Sequence, residues 1–370
     1  MRGLYVHIPF CVRKCNYCDF ASFSDVSDNT RREYINQLIF EIEEYKREEP
    51  IKIDTVYFGG GTPSLLSPSE FSRITSSIRK VFSLSCDTEL TLEVNPGTLT
   101  EENLKGFIDS GVNRVSIGMQ SIHKNELKIL GRIHTFLDFQ KCYEMVLKSG
   151  IDNISVDLMY RIPSQTIKSL NETLSYLLKI SPSHISAYSL ILEEGTPFFD
   201  KRDSLILPSE DEECEMYRMI CETLAKGGYN HYEISNYAKD GKEARHNTKY
   251  WQGEEYIGVG LSAYSYFEGV RFGNSRKLSE YLSESNKDYR VSEVIEDSDR
   301  AFEYAMLKLR LSDGFSLSEY SRLFGVDFLD GHGQNLNKYI EGGYLEIKGD
   351  RIHLTESGFY ISNTILSDIL

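Results

Sequence analysis

Three cysteines near the N-terminus carry the clearest chemical signal in the sequence. Cys11, Cys15 and Cys18 follow a C-x3-C-x2-C spacing. Thiolates are the soft ligands that iron–sulfur clusters use. Three of them on one loop can hold three irons of a four-iron cube and leave the fourth iron open for chemistry. A structural zinc ion normally takes four protein ligands, and no second Cys or His pair with zinc-like spacing follows, so the spacing predicts a [4Fe–4S] cluster.

The bulk composition narrows the class of protein. The chain has 370 residues and a formal net charge of −15, with a pI of about 5.1. This acidic balance argues against nucleic acid as a partner, because phosphate binding needs a basic face. It also argues against a polybasic membrane anchor. We see neither a signal peptide nor an apolar run that approaches the roughly 18 residues of a spanning helix, and therefore expect a cytoplasmic protein.

The four other cysteines are scattered along the chain. Cys86, Cys142, Cys214 and Cys221 bring the total to seven, an odd number. A disulfide framework is not expected in a reducing compartment. We therefore interpret these four thiols as structural residues rather than as a second metal site.

Short β-rich runs alternate with helical patterns up to about residue 230. Apolar residues recur on one helix face over Arg31–Glu49, and Ser67 with Glu70 forms a helix start. Six strand–helix units in order predict a parallel sheet, and two further units do not fit. The predicted fold class is α/β, an open partial (β/α)6 barrel. The predicted strands are Leu4–Ile8, Thr55–Phe58, Leu90–Val94, Arg114–Gly118, Ile154–Leu158 and Ile185–Leu190.

The pattern changes in the last third of the chain. Residues 231–295 form a Tyr-, Gly- and Asn-rich α/β segment, and residues 296–370 predict three helices followed by a β-ribbon. We interpret the latter as an α+β, winged-helix-like domain. From residue 300 onward it has seven Lys and Arg against ten Asp and Glu, so a structural or docking role is favoured over nucleic-acid binding. The predicted domains are therefore 1–230, 231–295 and 296–370.

Polar and Gly-rich residues fall just after the predicted strands. The cysteine loop follows the first strand and Gly59–Thr62 follows the second. Glu93 closes the third strand, Gln120 follows the fourth, and Asp157 lies near the end of the fifth. Functional residues of (β/α) barrels gather at the C-terminal ends of the strands. These five segments are therefore expected to converge on one mouth beside the cluster.

The motifs together resemble a known superfamily. The cysteine spacing, with GGGTPS, LEVNP and GVNRVSIGMQS…LGRIHT, resembles the radical S-adenosylmethionine (SAM) superfamily. More narrowly, the chain from Leu4 to its last helix resembles the branch of oxygen-independent coproporphyrinogen III dehydrogenase and the HemW-type haem chaperones. The resemblance implies an incomplete (β/α)6 barrel. It also implies a cluster that passes one electron to SAM, which splits to methionine and a 5′-deoxyadenosyl radical.

The resemblance implies which residues contact SAM. Tyr5 would lie near the adenine. Gly60, Gly61 and Thr62 would let the backbone approach the methionine amino group, since glycine gives the clearance. Glu93 would accept a hydrogen bond from that amino group. Alone, the glycines would fit a plain turn equally well.

Three further residues complete the SAM site that the resemblance implies. Gln120 and Asp157 would contact the ribose. Arg132 would pair with the SAM carboxylate, for which its planar fork is suited. Alone, Arg132 would equally fit a surface ion pair.

Three features favour the chaperones over the dehydrogenase. Phe20 stands where the dehydrogenase pattern has a further cysteine. The chain begins at Met1, shortly before the first strand, so we expect the N-terminal extension of the dehydrogenase to be absent. RHNTKYW at Arg245–Trp251 matches the HNxxYW motif of the chaperones, with His246 as the candidate haem ligand. The alternative for His246 is a histidine that is hydrogen-bonded within a loop.

Two segments depart from the family pattern. Arg161 and Ser164 replace two glycines in YRIPSQT, which puts the backbone after the fifth strand in doubt. Tyr264 in GVGLSAYS stands where a histidine is common. Neither change affects the predicted cluster ligands.

The predicted function is that of a haem- and SAM-binding chaperone that delivers haem to acceptor proteins such as respiratory enzymes. The alternatives are oxygen-independent coproporphyrinogen III dehydrogenase (oxidase) activity and a radical SAM enzyme with an unrelated substrate. The resemblance also implies an electron donor, with a membrane-protein client and a homodimer as further possibilities. The predicted cofactors are the [4Fe–4S] cluster, SAM and haem.

Overall fold

Six parallel strands form the centre of the molecule. The computed structural model describes residues 1–283, 291–295 and 297–369. The predicted strands are all present, lie side by side in chain order and pair in parallel, which confirms the predicted α/β partial barrel. Their bounds are β1 Arg2–Ile8, β2 Lys52–Gly60, β3 Ser83–Val94, β4 Arg114–Gln120, β5 Asn153–Tyr160 and β6 His184–Ser189.

Helices cover the outer face of these strands. The predicted capping box is present, because the Ser67 hydroxyl accepts from the Glu70 amide and the Glu70 carboxylate accepts from the Ser67 amide. No helix within the described residues is long and apolar enough to cross a membrane. The helices are α1 Asp28–Glu43, α2 Pro68–Val81, α3 Glu101–Asp109, α4 Lys124–Leu130, α5 Phe136–Lys148, α6 Ile167–Ile180, α7 Pro197–Asp200 and α8 Glu210–Lys226, with 3-10 turns at Pro63–Leu65 and Arg202–Ser204.

The first helix differs in extent from its prediction. It begins at Asp28 and ends at Glu43, whereas the apolar repeat predicted 31–49. The earlier start follows from Ser27, whose side chain accepts from the Thr30 amide as an N-cap.

Later strands extend the sheet at both edges to twelve strands. β7 Asn230–Glu233 and β8 Asn236–Ala238 add beyond β6, and β8 is antiparallel to β6. β9 Tyr256–Val259 adds to β1 as a seventh parallel strand. The remaining elements of this part are α9 Arg245–Gln252, β10 Tyr264–Phe267, β11 Val270–Gly273, α10 Leu278–Tyr281 and β12 Val291–Val294.

The C-terminal part contains the expected helices and a three-stranded sheet of order β13-β15-β14. Its core is aromatic: the rings of Phe315 and Phe328 lie 5.0 Å apart, and Tyr320 packs against both. The elements are α11 Asp297–Lys308, β13 Phe315–Ser316, α12 Leu317–Phe324, α13 Phe328–Glu341, β14 Leu345–Lys348, β15 Arg351–Leu354, α14 Glu356–Tyr360 and α15 Ser362–Ile369.

The two faces of the parallel sheet differ in chemistry. Side chains alternate between the faces of a strand. On β1, Leu4, Val6 and Ile8 are fully buried in the apolar core beneath the helices. The opposite, inner face carries buried or half-buried polar side chains, namely Thr55, Tyr57, Thr91, Glu93, Arg114, Ser116, Ser155, Asp157, His184 and Ser186.

Helix α9 lies against this polar inner face. The amides of Arg245 and His246 at its N-terminus donate to the two carboxylate oxygens of Glu89 on β3, at 3.3 and 3.2 Å. The Thr55 hydroxyl of β2 hydrogen-bonds the His246 ring at 2.9 Å. An acidic group at a helix N-terminus satisfies amides that have no partner within the helix. Glu89 therefore fixes the position of α9 inside the sheet.

Glu41 of α1 ties the added strands to the barrel. Its carboxylate is 2% exposed. One oxygen accepts from the Gly260 amide and the Tyr281 hydroxyl, both at 2.8 Å. The other accepts from the Asn274 side chain at 2.7 Å. The segment around β9 and α10 is thereby held to α1 by one buried carboxylate.

We predict that Glu41→Ala lowers the free energy of unfolding by at least about 3 kcal/mol, because three buried donors lose a charged acceptor. Urea unfolding of the purified protein measures this loss. Glu33→Ala on the same helix is the matched control, since Glu33 is exposed and accepts a hydrogen bond from the neighbouring Asn29 side chain. A loss in the Glu41 variant no larger than in the control would show that the carboxylate does not hold the segment.

Candidate functional site

A cavity of about 320 Å³ lies at the C-terminal ends of the parallel strands. The cysteine loop forms one wall, and the ends of β2 to β6 form the others. The cavity brings together ten of the predicted site residues: Cys11, Cys15, Cys18, Gly60, Gly61, Thr62, Glu93, Gln120, Arg132 and Asp157. Tyr5 and His246 lie outside its lining.

The cysteine loop is fixed at both ends by backbone hydrogen bonds. The Cys11 amide donates to the Phe23 carbonyl at 2.9 Å, and the Phe23 amide donates to the Pro9 carbonyl at 2.7 Å. The Asn16 amide and side chain donate to the carbonyls of Leu130 and Ile129. These bonds hold the loop against the end of α4.

The three thiols are half-buried at the cavity wall. The Thr62 hydroxyl donates to the Cys11 sulfur at 3.5 Å. Burial raises the pKa of Cys18 to about 11. Within the described residues, no group of three His, Cys, Asp or Glu side chains is arranged around a single metal ion. A four-iron cube takes one thiolate per iron, so its ligands do not converge on one point.

Two glycines follow β2 where the backbone passes close to its neighbours. Gly60 has φ +108°, and a Cβ there would lie 2.4 Å from the His7 ring. A Cβ on Gly61 would lie 2.8 Å from the carbonyls of Ile8 and Phe10. Only glycine fits these two positions. The packing of β2 against β1 and the cysteine loop therefore accounts for these glycines even without a ligand.

Two carboxylates face the cavity. Glu93 accepts from the Tyr57 hydroxyl at 2.8 Å and from the Gly60 amide at 3.1 Å. Asp157 accepts from the Ser116 hydroxyl at 2.9 Å. Burial raises the pKa of Glu93 to about 7, and the charge of Asp157 adds to the rise. Burial also raises the pKa of Asp157.

Arg132 and Gln120 complete the wall near the cysteines. Arg132 donates to the Gly118 carbonyl at 2.7 Å and to the Cys15 sulfur at 3.6 Å. Its Nε has no hydrogen-bond partner among the described residues. Gln120 ends β4 with φ +64°, which is rare for a residue other than glycine. Such strain concentrates at functional sites.

Tyr5 lies in a neighbouring pocket rather than in the cavity. Its hydroxyl hydrogen-bonds the His7 ring at 3.1 Å, and its ring stacks on Tyr57. The same pocket, of about 260 Å³, is also lined by Phe20 and Tyr264. Tyr5 is therefore outside the cavity lining, but its ring lies close to Glu93, since a Cβ on Gly59 would be 3.1 Å from both side chains. Its contact with SAM stays a prediction.

His246 is enclosed within the sheet, with 1% of its surface exposed. Its two ring nitrogens hydrogen-bond the hydroxyls of Thr55 at 2.9 Å and Tyr250 at 2.8 Å. Its ring stacks on Tyr57 at 5.2 Å. Burial lowers its pKa to about 3, so the ring is neutral. Haem contact by His246 stays a prediction, and it requires one of these hydrogen bonds to open.

Several polar residues that line the cavity were not identified from the sequence, among them Tyr57, Arg114 and Tyr188. Asn247 also lines it and belongs to the HNxxYW motif, but it was given no role. The two-residue alternation of a strand places Tyr57 on the face of Gly59, and Arg114 on the face of Gly118. This alternation was the signal that could have found the strand residues.

Comparison with known proteins agrees with this architecture. The radical SAM superfamily model matches residues 5–177, and the HemN C-terminal domain model matches residues 295–361. The crystallised coproporphyrinogen III oxidase (HemN) of Escherichia coli, described as a radical SAM enzyme, superposes with a TM-score of 0.85. That comparison covers 99% of this chain and 89% of HemN at 21% identity, so it bears on the fold alone.

Relatives named heme chaperone HemW match almost the whole chain. The protein of Lactococcus lactis is 37% identical, over 99% of this chain and 96% of its own. That of Bacillus subtilis is 33% identical, over 100% and 99%. That of Escherichia coli is 31% identical, over 98% and 97%.

The barrel, its cysteine loop and the family model together define a radical SAM protein. Within that superfamily, the chain belongs to the HemW family. Membership implies a [4Fe–4S] cluster and SAM as cofactors.

We predict that, without ligands, the Glu93→Gln variant gains stability relative to wild type as the pH rises. The unfolded chain ionises Glu93 near its ordinary pKa of 4.5, whereas the folded chain holds the proton up to about pH 7. The stability due to the neutral form is therefore fully present below pH 4.5 and is lost as the pH rises through 7. The stability of the variant relative to wild type should grow by up to about 3 kcal/mol over this range.

Urea unfolding at several pH values between 4.5 and 8 measures this difference. Glu102→Gln, at an exposed position in α3, is the control. Its free energy of unfolding should vary with pH as that of wild type does. A pH-independent difference for Glu93→Gln would mean that Glu93 is already ionised in the folded protein.

Proposed function

We propose that this chain is a haem-binding chaperone that carries a [4Fe–4S] cluster on Cys11, Cys15 and Cys18 and SAM in the adjoining cavity. The observation that carries the proposal is that three thiols from one loop line the same cavity as Arg132 and two buried acids. The agreement over nearly the full length with proteins named heme chaperone HemW supports the haem-related part.

The residues around the cavity fit the cluster and SAM. The thiols are half-buried and reach the cavity, and Arg132 beside Cys15 supplies a positive charge near them. The guanidinium of Arg132 lines the cavity and would pair with the SAM carboxylate. When bound, the cluster and SAM supply one-electron chemistry at the sulfonium.

Other residues would position SAM within the cavity. Gly60, Gly61 and Thr62 would offer backbone groups to the methionine amino group. Glu93 would accept from that group, and Asp157 would accept from a ribose hydroxyl. Gln120 would be a second ribose contact, since its backbone strain holds it at the mouth. Tyr5 would approach the adenine from the neighbouring pocket, which requires Tyr57 to move.

Haem would bind beside this site and be passed to acceptor proteins such as respiratory enzymes. We propose that His246 ligates haem iron after Tyr250 releases its Nε2. A neutral imidazole is a normal axial ligand. An electron donor, a membrane-protein client and a homodimer belong to the same proposal, as does a cytoplasmic location.

Phe20 argues against turnover of coproporphyrinogen III. Its side chain is 58% exposed and lies between the cavity and the neighbouring pocket. A phenyl ring can neither exchange a proton nor ligate iron, whereas the cysteine in the dehydrogenase pattern can. The chaperone is therefore favoured over the dehydrogenase.

We predict that Cys11→Ala, Cys15→Ala and Cys18→Ala together abolish the brown absorbance of the [4Fe–4S] cluster, because all three iron ligands are lost. Absorption spectra and iron content after anaerobic reconstitution measure this. Cys86→Ala combined with Cys214→Ala is the control, since both thiols are exposed and distant in sequence. A variant that keeps its colour without the three thiols would exclude the assigned ligands.

We predict that the reconstituted protein binds haem and leaves coproporphyrinogen III unchanged. The reconstituted protein is mixed anaerobically with SAM, a reductant and coproporphyrinogen III, and the tetrapyrrole products are separated. In a parallel titration, the Soret band measures haem binding. His246→Ala removes the proposed haem ligand, and Tyr250→Phe removes the hydroxyl that hydrogen-bonds Nε2 of His246. Formation of protoporphyrinogen would show that the protein acts as the dehydrogenase and not as proposed. Absence of haem binding would refute the proposed chaperone function.

A further inference from the structure

Arg114 is the largest fully buried side chain in the described part of the protein. It opens β4 on the inner face of the sheet and lines the cavity together with the three cysteines. Only 2% of its surface is exposed. It lies farther along β4 from the cysteine loop than Gln120 does, since Gln120 ends that strand at the mouth.

The guanidinium of Arg114 has no partner in the described part of the chain. Within residues 1–283, 291–295 and 297–369, it makes neither a hydrogen bond nor an ion pair, and its Nε is closed off from solvent. Two arginines that are only half-buried are paired, by contrast. Nε and Nη2 of Arg31 donate to the Glu70 carboxylate, and Nη1 and Nη2 of Arg271 donate to the Glu303 carboxylate. A guanidinium offers five N–H donors, and a buried charge without acceptors is costly.

The groups around Arg114 are already engaged elsewhere. Glu93 accepts from Tyr57 and Gly60, and Asp157 accepts from Ser116. Arg114 lowers the pKa of both carboxyls through space, but neither accepts its N–H groups.

The nearby histidine is engaged as well. Both ring nitrogens of His184 are hydrogen-bonded, to Ser155 at 2.7 Å and to Tyr232 at 2.8 Å. Among the described residues there is thus no acceptor bonded to Arg114, and this side chain lines the cavity.

We propose that Arg114 anchors a carboxylate of a ligand at the inner end of the cavity. A carboxylate can accept two parallel N–H bonds from a guanidinium, which is the pairing that this side chain lacks. Ser116, Ser186, Tyr188 and Asn247 line the same cavity and supply neutral polar groups around the anion.

This inference rests on the proposed function, which offers two sources of the carboxylate. One is the amino-acid end of a SAM molecule, in which case Arg114, and not Arg132 alone, would pair with the SAM carboxylate. The other is a propionate of a tetrapyrrole. Glu93 and Asp157 flank the site, so a carboxylate carried on a ligand that is also cationic, such as SAM, would enter at a lower electrostatic cost.

The test compares four ligands with the reconstituted protein under anaerobic conditions. These are SAM, decarboxylated SAM, haem and haem dimethyl ester. Dissociation constants are measured for wild type, Arg114→Met, Arg114→Lys and Arg32→Met. Arg32 is exposed on α1 and lies outside the cavity lining, so its variant controls for the loss of one positive charge.

We expect Arg114→Met to weaken one carboxylate-bearing ligand by about tenfold to a hundredfold, the range of a charge-assisted hydrogen-bonded pair. Its carboxylate-free analogue should bind the variant as it binds wild type. Arg114→Lys should fall between, because it keeps the charge without the planar fork. Arg32→Met should leave all four affinities unchanged. The affected pair identifies the source of the carboxylate.

Equal affinities of wild type and Arg114→Met for all four ligands would overturn the anchor. Equal weakening of a ligand and its carboxylate-free analogue would also overturn it, since Arg114 would then act only on the structure. If Arg114→Met does not fold, Arg114→Lys provides the same comparison. Wild type that binds none of the ligands would refute the proposed function itself, which separates the two failures.

Discussion

The arrangement of the molecule depends on a parallel sheet whose inner face is both polar and enclosed. Every polar group there needs a partner, because an unpaired one in such a setting is costly. Helix α9 satisfies part of the face: Glu89 accepts from its first amides, and Thr55 bonds His246. The remaining part surrounds the cavity, where Tyr57 and Gly60 satisfy Glu93. The cavity therefore lies at the part of the inner face that helix α9 does not cover.

The parallel strands and the mouth of the barrel could be predicted, because both leave local marks in the sequence. Strands rich in β-branched residues alternate with helical repeats, and the polar residues fall at strand ends. The place of the edge strands in the sheet was harder to foresee. β9 has only four residues, and it lies beside β1 through the pairing of distant positions such as Gly3 with Tyr256 and through Glu41, which no local pattern indicates.

The candidate site likewise contains residues that could be found from the sequence and residues that could not. The cysteines and Glu93 could be found because their types and spacing are unusual, whereas Arg114 is one arginine at the start of an ordinary strand. Its proposed role rests on the lack of a hydrogen-bond partner among the described residues, which a sequence does not show. His246 shows the converse, since its motif predicted a ligand but the fold gives both its nitrogens a partner. The glycines after β2 are also explained by the close approach of His7 and Ile8, which no local pattern reveals.

The pairing of β1 with β9 has a consequence for how the chain reaches its fold. Gly3 is joined to Tyr256, so one edge of the first strand has no neighbour until most of the chain has left the ribosome. Contacts of such high sequence separation slow folding, and an open strand edge invites pairing with other chains. The cysteine loop follows directly from that strand. During synthesis, the cysteine loop is thus attached to the part of the sheet that is completed last.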